Sequence, residues 1–269
     1  MNPVDQLFQS LGSTGRKAFM PFLTAGDPNL DATGMLLGEV IRQGADLAEI
    51  GFPYSDPIAD GAVIQASYTR ALAGGLKIDQ IFERVPRWTA AHPQTPLVAM
   101  TSYSLVHRRG PAAFLERAQR AGFSGAIVPD LPVEESEPLA QAARECDFKL
   151  IQLITPATPR ERAIRIAKQS TGFIYYVSVT GITGARDRLP PELHEQLAWL
   201  RGQTDLPICV GFGISKPEHV RMLRDVADGI IVGSAIVRQM ENVGQRSLAE
   251  AVAAVGELVR GLRQALDAK

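Results

Sequence analysis

The 269 residues carry 28 Lys and Arg against 29 Asp and Glu, and 45% are hydrophobic, which is enough for a sizeable core. No basic run is longer than Arg108-Arg109, so nothing offers nucleic acid an electrostatic footprint. No apolar run approaches a membrane span, and Met1-Asn2-Pro3-Val4-Asp5-Gln6 lacks the order of a signal peptide, so a cytoplasmic location is expected.

Val4, Leu7, Phe8 and Leu11 recur at helical spacing and predict a packing helix at the start. Ala18 to Leu23 reads as the first strand, and Met35, Leu36, Val40 and Ile41 mark a helix ending near Gly44. A second strand follows from Leu47, then a loop rich in Gly, Pro and Asp, and helices over 62–73 and 78–91. Further strands are predicted over 96–100, 125–128, 148–154, 173–177, 208–210 and 229–232. Helices are expected over 111–121, 134–145, 158–169, 191–202, 217–225 and 247–267. Strand alternating with helix implies a parallel sheet, and eight such units in this length favour closure. The expected fold is one domain over 1–269, an α/β protein of the (β/α)8 TIM-barrel class with extra N-terminal and loop helices.

In such a barrel the chemistry sits at the C-terminal ends of the strands. Those ends offer Phe22, Glu49, Met100, Asp130, Tyr175, Phe212-Gly213 and Gly233-Ser234. Glu49 is anomalous, because strands covered on both faces are nearly continuous in apolar residues and a lone buried carboxylate is costly. It is either a satisfied structural charge or an acid placed for chemistry. Asp60, ahead of Gly61-Ala62-Val63-Ile64, reads equally as a helix N-cap. Tyr175 and Tyr176 must face opposite sides of their strand. The glycines after the last two strands suit a phosphate held on backbone N–H groups, or simply tight turns. Gly181-Ile182-Thr183-Gly184 is a lid or a surface turn. Phe22, Ile64, Met100, Ile127 and Phe212 suit a pocket for a flat apolar group, or plain core.

No cofactor is expected. His92, His107, His194 and His219 form no i, i+4 pair, and Cys146 and Cys209 are too few for zinc. No nicotinamide or flavin motif is present, and Lys149, the best-placed strand lysine, sits at the wrong end of its strand for a pyridoxal Schiff base.

Read together, Pro21 to Pro28, the Glu49 stretch to Gly61, Pro129-Asp130-Leu131-Pro132-Val133-Glu134-Glu135, Ser178 to Gly184 and Gly211-Phe212-Gly213-Ile214 closely resemble the tryptophan synthase alpha subunit family over the whole chain. That resemblance implies cofactor-free retro-aldol cleavage of indole-3-glycerol phosphate to indole and glyceraldehyde 3-phosphate. It assigns Glu49 the acid–base role, Asp60 the charge on the indole N–H, and Tyr175 substrate positioning. It makes Gly184, Gly213, Gly233 and Ser234 the phosphate ring, and Phe22, Ile64, Met100, Ile127 and Phe212 the pocket wall. Thr183 becomes the lid residue that meets Asp60. It also implies a pyridoxal phosphate-dependent beta subunit in an α2β2 complex, contacted through Tyr54, Asp56 and Pro57. The chain departs from the family in having Ser102-Tyr103-Ser104 where Tyr-Tyr-Asn-Pro is common, and Ala62 where Pro is usual. Alternatives of other kinds are a thiamine phosphate synthase-like barrel and a catalytically silent subunit that activates a beta partner.

Overall fold

Alternate residues of the first strand go to different layers. In β1 (Ala18–Thr24), Ala18, Met20 and Phe22 join an inner apolar layer, while Phe19 and Leu23 pack outward under the helices. This period of two repeats around the sheet. The computed structural model describes residues 1–178, 192–211 and 213–268. After β1 come β2 (Ala48–Gly51), β3 (Leu97–Met100), β4 (Phe123–Ile127), β5 (Lys149–Ile151), β6 (Leu153–Ile154), β7 (Ile174–Val177), β8 (Ile208–Gly211) and β9 (Gly229–Val232). All paired strands are parallel, in the order β5-β4-β3-β2-β1-β9-β8-β7-β6.

The two ends of that order are halves of one strand. β5 pairs with β4 and β6 with β7, and only Gln152 separates them. The Gln152 carbonyl accepts the N–H of Tyr175 at 3.1 Å, which carries the ring across the break. The predicted continuous strand over 148–154 is therefore a staggered one, and the sheet is an eight-stranded TIM barrel.

Helices cover it. The α1 helix (Pro3–Thr14) closes the N-terminal end. The Asn2 side chain accepts the Val4 N–H and donates to the carbonyls of Ser124 and Asp147, while Val4 and Leu11 plug the inner layer. This leaves the opposite end for a site. The helices α2 (Leu30–Arg42), α3 (Ala62–Ala73), α4 (Ile78–Ala91), α5 (Tyr103–Arg109), α6 (Pro111–Ala121), α7 (Glu137–Glu145), α8 (Arg160–Gln169), α9 (Leu193–Arg201), α10 (Pro217–Leu223), α11 (Ser234–Arg238) and α12 (Leu248–Asp267) follow. In α2 the buried stripe is Leu36, Leu37 and Val40, and Met35 is exposed rather than packed. α7 starts at Glu137 and not at 134, because 133–135 form a turn and Pro138 favours the first helical positions. The short helices α5 and α11 were not foreseen. Among the described residues no helix is long and apolar enough to cross a membrane, and no group of three or more His, Cys, Asp or Glu is arranged for a metal.

Candidate active site

Ala48 and Ile50 belong to the outer layer, so the residue between them must face the barrel interior. That residue is Glu49, paired in register with Phe22 on one side and Val98 on the other. It is fully buried, and neither carboxylate oxygen has a hydrogen-bond partner among the described residues. Desolvation alone lifts its pKa to about 8. The alternative of a satisfied structural charge is therefore not what the chain builds.

Glu49 lies in the wall of a cavity of about 190 Å³ at the C-terminal end of the barrel. The same wall contains Phe22, Asp60, Ile64, Met100, Tyr175, Gly213, Gly233 and Ser234, so one space gathers most of the residues singled out in the sequence. Ile127 is the exception. It is buried in the inner layer, in register with Met100 and Ile151, and is not part of the cavity lining. Thr183, Gly184, Phe212 and the possible lid over 181–184 lie outside the described residues. Ile214, Ser215, Ile231 and Ala235, neighbours of the predicted glycines, also line it, and Gly61, Ala62, Val63 and Arg238 complete the wall.

Asp60 does not cap α3. Gly61 holds the N-cap position and no side chain bonds there. The Asp60 carboxylate instead accepts the Tyr54 hydroxyl at 3.2 Å, and its main-chain carbonyl accepts Gln65 Nε2 at 2.7 Å. Burial pushes its pKa up to about 6, partly offset by the Tyr54 hydrogen bond and reinforced by the nearby Asp130 charge. Asp130 itself is engaged elsewhere. It accepts from the Ser102 hydroxyl at 2.6 Å and the Tyr103 N–H at 2.8 Å, fixing the start of α5. The unusual Ser102-Tyr103-Ser104 segment is thus a capped helix start.

Tyr175 and Tyr176 separate as alternation requires. Tyr176 joins the outer layer and its hydroxyl donates to Gln196 Oε1, while Tyr175 lies in the inner layer near the Glu49 carboxyl group. Its ring fits only because residue 211 is glycine, since a Cβ there would lie 2.4 Å from the Tyr175 hydroxyl oxygen. Gly51 makes the same kind of room for Phe22 and Tyr68, with a Cβ falling 2.3 Å from Phe22 Cζ. Gly211→Ala is expected to displace Tyr175 and to lower stability by about 1–3 kcal/mol, the usual range for overpacking. Thermal unfolding checks this, and an unchanged midpoint would show that the ring can move aside freely.

At the glycine end, Gly213 has φ +75, a left-handed conformation that glycine adopts without strain. Gly233 and Ser234 lead directly into α11, whose first residues Ser234 and Ala235 line the cavity.

On the loop after β2, Asp56 is exposed, its carboxylate accepts the Ser55 hydroxyl and its carbonyl the Ile58 N–H, and Pro57 offers its carbonyl to Gln65. Ile58 is 80% exposed. Tyr54 is turned inward against Tyr68, with ring centroids 5.6 Å apart, and Pro53 is buried.

A family model described as tryptophan synthase alpha chain matches residues 8–267. The chain is 51% identical to the tryptophan synthase alpha chain of Rhodopirellula baltica, with both sequences covered in full. Among solved structures, tryptophan synthase subunit alpha from Legionella pneumophila superposes with TM-score 0.90 at 33% identity, covering 99% of each chain. A chain of the tryptophan synthase complex from Pyrococcus furiosus superposes with TM-score 0.82 at 36% identity, covering 92% of this chain and 98% of that one. A family match over nearly the whole length, with relatives of this identity, shows that the chain belongs to the tryptophan synthase alpha chain family.

Proposed function

We propose that the cavity binds indole-3-glycerol phosphate and that the chain splits it into indole and glyceraldehyde 3-phosphate, as a carbon–carbon lyase. The observation that carries this is Glu49, a buried carboxyl with no hydrogen-bond partner among the described residues, held protonated near neutral pH beside an apolar wall. Breaking the bond to ring carbon C3 needs that carbon protonated first. Glu49 gives its proton to C3, and positive charge develops on the ring nitrogen. Asp60, ionised above about pH 6, stabilises that charge. Glu49, now a carboxylate, takes the hydroxyl proton from the side-chain carbon attached to C3. A carbonyl forms there, the C–C bond breaks, and its electron pair returns to the ring. Indole and aldehyde leave with Glu49 reprotonated, so one group serves as acid and then as base.

In this reading Tyr175 positions the substrate next to Glu49, while Phe22, Ile64 and Met100 form the wall against the indole. Gly213, Gly233 and Ser234 hold the phosphate, with Gly184 completing the ring. By family resemblance Phe212 belongs to the same apolar wall and Thr183 to the lid facing Asp60, whereas Ile127 packs in the inner layer beside Met100 rather than against the substrate. The phosphate has a direct test in Gly233→Val. The nearest neighbours of an added Cβ are atoms of Phe22, at an ordinary 3.5 Å or more, so the fold should tolerate it while the branched side chain blocks the anion. KM is expected to rise by at least about 10-fold with the thermal midpoint preserved. A parental KM would put the phosphate elsewhere. Gly213→Val is the poorer probe, because a β-branched residue at positive φ is strained in any case.

A beta subunit is the partner that the family implies, and the Pyrococcus furiosus relative is itself a tryptophan synthase complex. We infer an α2β2 assembly with a pyridoxal phosphate-dependent beta subunit in the cytoplasm, met through Tyr54, Asp56 and Pro57. Ile58 adds apolar surface there. Tyr54 contributes from beneath, by bonding Asp60. We also infer a single domain, because β1 pairs with β9 and α12 packs on α2. One experiment tests the central reading: indole release from indole-3-glycerol phosphate by the chain alone and with its beta subunit, on material checked for co-elution. No indole in either state would refute it, and indole only from an unrelated phosphorylated substrate would point to another barrel enzyme.

A further inference from the structure

Arg238 is the only cationic side chain among the described residues of the cavity lining. It closes α11, and helical side chains tilt toward the N-terminus, so residue 238 overlies positions 234 and 235. Those positions are Ser234 and Ala235, which line the same cavity. Arg238 is exposed and has no ion pair and no side-chain hydrogen bond among the described residues. Many other arginines are engaged, such as Arg70 by Asp27, Arg201 by Asp228, and Arg263 by Asp46 and Asp267, and Arg87 and Arg108, which also lack a partner among the described residues, do not line the cavity. A guanidinium with no partner among the described residues, at the edge of this cavity, calls for an anionic ligand.

Charge balance says which part of the ligand. A phosphate dianion entering beside Asp60 meets like charge. The backbone N–H groups of Gly213, Gly233 and Ser234 offer dipoles and no net charge, whereas a guanidinium offers both a full charge and a fork of donors. We infer that Arg238 binds the substrate phosphate, supplying the positive charge of that subsite and setting the preference for phosphorylated over unphosphorylated substrate. The inference rests on the phosphate reading above and adds a residue that the glycine motifs do not contain. Since the side chain is in water, its contribution is screened by salt.

Arg238→Gln and Arg238→Lys are compared with the parent for indole release at low salt and at about 0.3 M salt, and for calorimetric binding of inorganic phosphate. A charge-assisted contact from an exposed side chain is worth on the order of 10-fold, so Arg238→Gln should raise KM by about that factor. Its kcat should stay within about twofold of the parent, and its KM should lose most of the parent's rise with salt. Arg238→Lys should recover much of both, and phosphate affinity should fall in parallel with the rise in KM. Parental KM, salt response and phosphate affinity in Arg238→Gln would overturn the inference. So would a fall in kcat at constant KM, which would mark a packing effect through α11. If the parent released no indole at all, the proposed reaction would fail on its own. The phosphate arm would still decide Arg238, because binding that is absent in the parent or unaltered in the variant overturns it.

Discussion

Glu49→Gln is expected to lower kcat by at least about 10²–10⁴-fold, the range over which a positioned acid–base group acts. Glutamine keeps nearly the volume of glutamate and remains polar, but it has no proton to give to C3 and none to recover from the hydroxyl. KM should change little, because indole and phosphate are held by other residues. In the parent, kcat/KM should fall as pH rises through about 8, where Glu49 loses the proton that starts the reaction.

The same variant has a stability signature that a structural role would not produce. The folded pKa of Glu49, about 8, lies above its ordinary value of 4.5, so the native state binds more protons than the unfolded chain between those limits. Stability then decreases as pH rises across that window and levels off above it. Glutamine removes this dependence. Glu49→Gln should therefore match the parent near pH 4.5 and exceed it by several kcal/mol at pH 8, with the gap opening in between. Were Glu49 a paired structural charge, the variant would be the less stable protein and activity per folded molecule would survive. Kinetics and thermal midpoints on one preparation, across pH, decide between them. A folded variant with near-parental kcat would displace Glu49 from the reaction.

What was legible in the sequence was whatever depends on near neighbours. A carboxylate inside an apolar strand is visible as an anomaly, and period-two alternation fixes which way Glu49 and Tyr175 point. The helices over 62–73, 78–91 and 111–121 were read to the residue, because their apolar stripes and flanking glycines or prolines are local signals. Features set by distant partners were not legible. Gly211 matters because of Tyr175, and Gly51 because of Phe22 and Tyr68, and neither glycine differs in sequence from one in a turn. Helix α5 is too short for periodicity and is held by Asp130, 28 residues after Ser102. Asp60 looked like a cap because Asp before Gly often is one, yet the barrel turns it into the cavity and gives it Tyr54 instead. Arg238 was invisible as part of the site because the glycines before it form a recognisable motif and a lone arginine at the end of a five-residue helix does not.

Asp60→Asn separates the second carboxylate from the first. Asparagine can still accept the Tyr54 hydrogen bond, so the loop should keep its shape and stability should hold. What disappears is the negative charge facing the developing cation on the indole nitrogen. Removing one such electrostatic contact is expected to lower kcat by about 10²–10³-fold. The pH profile identifies the group responsible. Burial sets the Asp60 pKa at about 6, so parental kcat/KM should climb through that value as the carboxylate forms. The second ionisation of the substrate phosphate falls near pH 6 as well, so the parent should show a limb with slope approaching about 2 in log kcat/KM. In Asp60→Asn the phosphate limb remains alone and the slope drops to about 1, while the descending limb near pH 8 that belongs to Glu49 is retained. Loss of activity with the steep acid limb intact would mean that Asp60 acts by shaping the loop, with the charge on the indole nitrogen met by some other group.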